Sequence, residues 1–212
     1  MGSSITMTDP PPVVEPPFET RKTDPSITGI VLAAGISSRF GSRNKLLTQI
    51  DGTPLVRQAV ATVRKVIPEV LVVVGHEATA VRDTLTGLDV TCVENPEYAT
   101  GHASSVQQGI DNVPPSADGA LFHLGDMPSV QPSTIGHLVD AYGAEVGDPV
   151  VAAADDRRGN PVLFGRQYFT RLRAVTGDTG GRQVIRSSDD AVLVETSDPG
   201  VHRDIDRPAD LP

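Results

Sequence analysis

The sequence predicts an α/β fold in which a mostly parallel central sheet lies between two helical layers. Three observations carry this reading. Strand-length apolar runs alternate with helix-length stretches along most of the chain. The first runs, 27–33 and 70–74, are nearly continuously apolar, as strands buried on both faces must be. Several runs stop at a glycine (Gly35, Gly75, Gly125) that opens a loop.

The elements follow in order. Residues 1–25 read as a disordered, Pro-rich leader, because six of the 18 prolines fall there without apolar periodicity. That stretch lacks the basic start and apolar core of a secretory signal, so the cytoplasm is the expected location. A single domain is expected over 26–212. Ile27 to Ala33 is the first strand, running into a tight loop at Ala34-Gly35. Thr53-Pro54 reads as a helix start, a capping hydroxyl followed by Pro at the first helical position. Leu55, Val56, Ala59, Val60 and Val63 follow at helical spacing.

A second strand is expected at 70–74, a helix at 77–86 and a third strand at 89–93, with Cys92 in the core. A helix over 103–112 leads to a strand at 120–124 that closes on Gly125-Asp126. Then come a helix at 132–145, strands at 149–154 and 161–164 separated by a polar loop, helices near 166–174 and 180–187, and a last strand at 191–195. No internal repeat interrupts this order.

Composition narrows the function. The chain has 212 residues, 18 Lys plus Arg against 27 Asp plus Glu, and a net charge of −9. A nucleic-acid binder needs a basic face, so nucleic acid is not the expected partner. No apolar run approaches the ~20 residues that span a bilayer, so no membrane partner is expected. The single cysteine rules out a disulfide within the chain and a Cys-based zinc cluster. An anionic ligand would have to be held by local donors against the overall field.

In parallel α/β sheets, ligands bind beyond the carboxyl ends of the strands, so the loops there carry the chemistry. The first loop, from Ala33 to Lys45, contains Gly35, Ser37, Arg39, Gly41, Arg43 and Lys45. Its small residues admit close backbone approach, and its N–H groups with Arg39 and Lys45 suit phosphate oxygens. It is neither a Walker A nor a dinucleotide motif, and an ordinary Gly-rich loop with solvated Arg side chains is the bland alternative. Asp126, at a strand's carboxyl end, is well placed to hold Mg²⁺ bridging to phosphates, and capping the next helix is the bland alternative. Alternation puts Asp204 and Asp206 on one side of an extended segment, where one could ligate a metal and the other orient an Arg, although by itself the segment reads first as a turn before a short helix. Residues 94–105 open a helix whose N-terminus could receive a ligand. His102 has no Ser or Cys nucleophile signature around it, and a lone His is usually structural or solvated.

Eight segments in order then resemble a known family: VLAAGISSRFGSRNKLL, DGTPLVRQAV, VVVGHEA, NPEYATGHASSVQQGI, LGDMP, GNPVLF, GDTGGRQVI and DIDRPAD. The chain resembles the molybdenum cofactor cytidylyltransferases of the NTP-transferase family over about residues 27–212. The resemblance implies a Rossmann-like three-layer α/β/α nucleotidyltransferase fold. It implies that the terminal phosphate of a molybdopterin acceptor attacks the α-phosphorus of CTP and that pyrophosphate leaves. Arg39, Lys45 and Asp126 would be catalytic, with Asp126 and Asp206 holding Mg²⁺. Leu32, Ala33, Ala34, Gly35, Ser37, Gly75, Asn95, Ser104 and Ser105 would face the nucleotide. Gly159, Asn160, Pro161, Asp178 and Arg182 would face the acceptor, and a molybdoenzyme or its chaperone would be a partner.

Base choice also follows from the resemblance. Guanine-specific relatives read Leu-Ala-Gly-Gly where this chain has Leu32-Ala33-Ala34-Gly35, and the Ala34 methyl would fill space a purine needs. Two departures bear on the acceptor: Gly180-Gly181-Arg182 where the family reads Gly-Ala-Arg, and Arg207 where it reads Thr. A nucleotidyltransferase using GTP or another phosphorylated acceptor, and a non-catalytic nucleotide-binding chaperone, are the competing readings.

Overall fold

The computed structural model describes residues 10–18, 24–41, 43–178 and 180–212. In chain order the elements are β1 (Val13–Val14), β2 (Ile27–Ala33), β3 (Gln49–Ile50), β4 (Thr53–Pro54), α1 (Leu55–Arg64), β5 (Glu69–Val74), α2 (Ala78–Thr84) and β6 (Thr91–Glu94). They continue as α3 (His102–Asp111), β7 (Gly119–Leu124), α4 (Pro132–Gly143), β8 (Val150–Ala154), β9 (Arg157–Gly165), α5 (Phe169–Arg173), α6 (Arg182–Arg186) and β10 (Val192–Glu195).

Among the described residues one eight-stranded sheet runs β1-β10-β8-β9-β7-β2-β5-β6. Every neighbouring pair is parallel except those made by β9, which is antiparallel to both β7 and β8. The alternating directions of successive side chains split the core in two. Val31 and Ala33 of β2 join Val56, Val60 and Val63 of α1, Val81 of α2, and Ile135 and Leu138 of α4 on one face. Ile30 and Leu32 join Val106 and Ile110 of α3, Leu172 of α5, and Val184 and Ile185 of α6 on the other. The expected three layers are therefore present. After β2 the chain builds outward to β5 and β6, then returns to place β7 on the other side of β2. The β2/β7 boundary is the switch in strand order where α/β sheets bind ligands.

Four expectations change. First, part of the segment read as leader is ordered: Val13 and Val14 pair in parallel with Leu193 and Val194, and the Leu193 amide donates to the Pro12 carbonyl at 2.9 Å. Two β-branched residues suffice there because β10 would otherwise leave its edge open. The remainder of that leader, 1–9 and 19–23, lies outside the described residues.

Second, Thr53 does not cap α1. Thr53 and Pro54 pair with Ile50 and Gln49 as a small hairpin, and the helix begins at Leu55. The Gln58 amide instead donates to the Ile50 and Thr53 carbonyls at 2.9 Å each. Third, the expected polar loop before residue 161 is strand: β8 and β9 form a hairpin whose turn residues Asp155 and Asp156 have φ of 53° and 57°. Asp tolerates this left-handed conformation, which the tight turn between twisted strands needs. Fourth, Cys92 is half-buried on the edge strand β6 rather than enclosed in the core.

No helix among the described residues is long and apolar enough to cross a membrane.

Candidate active site

The site forms where β2 and β7 separate. Leu32 pairs with Leu124, and the Gly125 amide still donates to the Leu32 carbonyl at 3.0 Å. Beyond that point the chains diverge and leave a cleft of about 380 Å³. Its walls come from Ala34, Gly35 and Ser37 on one side and Asp126 on the other.

The first loop is braced from within. Ser37 takes a left-handed φ of 59° and turns its hydroxyl toward Asn44, donating to Asn44 Oδ1 at 3.4 Å while accepting from the Lys45 amide at 3.3 Å. Asn44 Oδ1 also accepts from the Leu46 amide, and its amide group donates to the His76 carbonyl. This buried asparagine points the Lys45 side chain into the cleft, and no spacing rule for ligand groups singles it out. Phe40 packs with Leu55 and Ile205, which seats the C-terminal segment beside the loop. The Ile205 amide then donates to the Asp126 carbonyl at 2.9 Å.

That seating brings distant charges together. Lys45 Nζ donates to Asp126 Oδ2 at 2.5 Å and to Asp206 Oδ1 at 2.7 Å, while Arg39 pairs with Asp206 Oδ2. The Lys45 side chain is 12% exposed and that of Asp126 17%. Burial alone would lower the Lys45 pKa, but the two carboxylates outweigh it and the net shift is upward. Burial pushes Asp126 up, against the pull of Lys45 and with help from the charge of Asp204. The hydrogen bond from Lys45 holds Asp206 below the usual carboxylate range. Asp206 therefore pairs with Arg39 and Lys45, and Asp204 acts on Asp126 through its charge.

Asp126 Oδ1 is buried without a hydrogen-bond partner. An orphaned carboxylate oxygen beside a second carboxylate is a donor set that suits a hard divalent cation. Asp126 and Asp206 thus fit Mg²⁺.

Of the other residues read as nucleotide contacts, Leu32, Ala34, Gly35, Ser37 and Ser105 line the cleft. Ala33 is buried on the opposite face of β2. Gly75, Asn95 and Ser104 stand behind the wall. A Cβ on Gly75 would lie 2.6 Å from Tyr98 Cβ, so this glycine lets Tyr98 reach the cleft. Asn95 is fully buried and donates to Ser104 and Ser105 at 2.9 and 3.1 Å. Ser104 donates to the Glu97 and Gly101 carbonyls. The N-terminus of α3, expected to receive a ligand, already receives Asp178, whose carboxylate accepts from the His102 amide at 3.3 Å.

A second cleft of about 740 Å³ adjoins the first through Leu32, Arg39, His102, Leu124 and Asp178. Gly159, Asn160 and Arg182 line it, while Pro161 is buried beside it. Tyr98, which the sequence analysis did not single out, and His102, which it read as structural or solvated, are wall residues. Burial lowers the pKa of His102, whose ring lies at both clefts, against the opposing charges of Asp126 and Asp178.

A parallel sheet with a phosphate-suited loop and an acidic pair at its switch point defines the nucleotide-handling class of three-layer α/β proteins. The chain matches the MobA-like NTP transferase domain over residues 29–192 and belongs to that family. A crystal structure of Rv0371c from Mycobacterium tuberculosis H37Rv superposes with a TM-score of 0.75 at 31% identity, covering 87% of this chain and 95% of that one. Its manganese complex superposes at 0.72 and 29% identity, with the same coverage. The bifunctional protein GlmU of Paraburkholderia phymatum is 35% identical over 133 residues, which is 61% of this chain and 29% of that protein. The chain thus aligns with less than a third of this curated relative's length.

Proposed function

We propose that the protein is a Mg²⁺-dependent cytidylyltransferase that transfers CMP from CTP to the terminal phosphate of a molybdopterin-type acceptor. The observation that carries the reading is Lys45 held between Asp126 and Asp206 at the mouth of the Gly35 loop. An acceptor phosphate oxygen attacks the α-phosphorus, the bond from that phosphorus to the α,β-bridging oxygen breaks, and pyrophosphate leaves with the electron pair. Such a transfer depends on positioning and charge neutralisation more than on an acid or base. That fits a cleft whose one imidazole has its pKa lowered by burial and whose charged groups are Arg39, Lys45, Asp126, Asp178 and Asp206.

Arg39, 66% exposed, would exchange its Asp206 partner for the triphosphate, and Lys45 would hold the phosphate that becomes the leaving group. Asp126 and Asp206 would hold Mg²⁺, which when bound supplies further neutralisation of phosphate charge. Ala34 lines the nucleotide cleft, and its methyl in place of a glycine would favour the smaller pyrimidine. The manganese complex of the mycobacterial relative supports a divalent cation in this fold.

The test is pyrophosphate release with each of the four NTPs, with and without molybdopterin. Release with CTP only when the pterin is present supports the reading. Release with GTP, or with a different phosphorylated acceptor, replaces it.

A further inference from the structure

Beneath β1 the sheet ends in a strand with little protection of its own. β10 reads Val192-Leu193-Val194-Glu195, and its first three residues are buried. Its side chains alternate between the two cores: Val192 and Val194 join the α4 side, and Leu193 joins the α6 side. Edge strands usually carry a lysine, a proline or a bulge that discourages another chain from pairing. β10 has no lysine and no proline, and its register with β8 is unbroken. Its one charged side chain, Glu195, is turned back to the Asp156 and Ser197 amides.

The protection comes from residues 10–18 instead. Val13 and Val14 lie along β10, and the Leu193 amide, which faces away from β8, donates to the Pro12 carbonyl. Val14 and Phe18 pack against the core on the α4 side and hold the segment down. Its outer side is a poor template. Between Pro12 and Pro16 only Val13, Val14 and Glu15 carry a backbone N–H, and Pro10, Pro11 and Pro17 extend the gap on both sides. A two-residue strand bounded by prolines ends a sheet that β10 alone would leave open. So short a ladder also opens at far lower cost than the whole fold.

We propose that residues 10–18 are a detachable strap that guards the β10 edge, and that with the strap lifted this edge pairs with the same edge of a second copy of the chain. A two-fold axis through the edge sets the two β10 strands antiparallel and uses one patch twice, which closes the assembly at a dimer. Leu193 and, by alternation, Glu195 turn their amides outward, so each regains a carbonyl partner across the axis. In the register centred on Val194, Val194 faces Val194 and Leu193 faces Glu195, so no like charges meet. A net charge of −9 on each copy opposes the approach, and salt screens it. β8 and β9 stand between β10 and the cleft at β2 and β7, so the edge is separate from whatever reaction the cleft carries.

The test keeps the full chain and compares wild type with the double variant Val14→Asp/Phe18→Ser. Sedimentation velocity over a range of concentrations, at low and high salt, gives the mass, and amide exchange follows Leu193 and Glu195. Wild type is expected to be monomeric. The double variant doubles in mass, more readily at high salt, and a peptide of residues 10–18 added in trans returns it to monomer. A chain locked by Val13→Cys and Leu193→Cys in a Cys92→Ser background stays monomeric throughout, because paired positions on adjacent strands lie within disulfide reach. A monomeric double variant whose Leu193 amide exchanges faster overturns the guard, since the bare edge is then tolerated. Unchanged mass with unchanged exchange overturns the strap itself. Association of the locked chain to the same extent overturns the β10 contact in favour of another surface. A disulfide formed between two copies replaces edge pairing by an exchange of straps. If the double variant does not fold, Val14→Ala serves in its place: faster Leu193 exchange with a dimer at high concentration supports the guard, and faster exchange without a dimer overturns it.

Discussion

The Lys45 ammonium lies 2.7 Å from Asp206 Oδ1, joining residues 161 positions apart. The same ammonium also touches Asp126, so one cation ties the first loop, the end of β7 and the C-terminal segment together. This shared charge joins the Arg39–Asp206 pair and the seat of Ile205 on Phe40 in assembling the site, and its members have separable roles.

Asp126→Ala is expected to abolish pyrophosphate release while leaving the fold intact, since Lys45 keeps Asp206 as a partner. Turnover and Mn²⁺ binding followed by electron paramagnetic resonance check this. Near-normal turnover would remove Asp126 from the metal site.

Lys45→Ala should slow turnover about 100-fold or more, by comparison with deleting one transition-state donor elsewhere. It should also tighten Mn²⁺ binding in the absence of nucleotide, because the ammonium competes with a metal for the two carboxylates. An unchanged Mn²⁺ affinity would show that the cations do not share a place.

Asp206→Asn weakens the tie between the first loop and the chain end. Amide exchange after residue 203 should speed up while the β2 and β5 amides stay protected. Equal exchange in variant and wild type would mean that Ile205, buried against Phe40 and Leu55, seats the segment without the ion pair.

His123 on β7 is fully buried, and burial pushes its imidazole down to about 4 against a weaker opposing effect from the Met127 backbone. The unfolded chain takes a proton on this residue near its ordinary value of 6.5, and the folded chain does not. Stability is therefore undiminished above pH 6.5 and falls as the pH drops toward 4, by about 3 kcal/mol at most. Denaturant melts of wild type and His123→Gln across that window measure it. Identical slopes would show that His123 is not the group responsible.

Gly75→Ala would set a methyl 2.6 Å from Tyr98 Cβ and 2.9 Å from Ala34 Cβ. Overpacking of this kind costs about 1–3 kcal/mol. Because Tyr98 and Ala34 both line the cleft proposed to take the nucleotide, KM for CTP should rise along with the loss of stability. Lost stability with unchanged KM would mean that Tyr98 does not touch the nucleotide.

The sequence by itself determined the layered α/β class, most strands to within two residues, and the loop carrying Arg39 and Lys45. Those signals are local: unbroken apolar runs report burial on both faces, and glycines report where strands stop. It also marked Asp126 by its place at a strand's carboxyl end and the Asp204/Asp206 pair by alternation, and the family resemblance chose Asp206. Tertiary structure alone decided the rest. Arg157 to Asn160 read as loop because their polar side chains hide a strand whose hydrogen bonds come from β8 and, beyond Asn160, from β7 as well. Val13 and Val14 looked like leader because their only reason to be extended is the open edge of β10. Asn95 and Ser104 have the chemistry of ligand contacts, yet they spend it on bracing the loop between β6 and α3. Arg158 and Arg186 carry no motif, and only the packing of α6 across from β9 turns two surface arginines into one charged wall. Local pattern reports what a segment buries, whereas the meeting of charges from distant segments is set by how the layers pack.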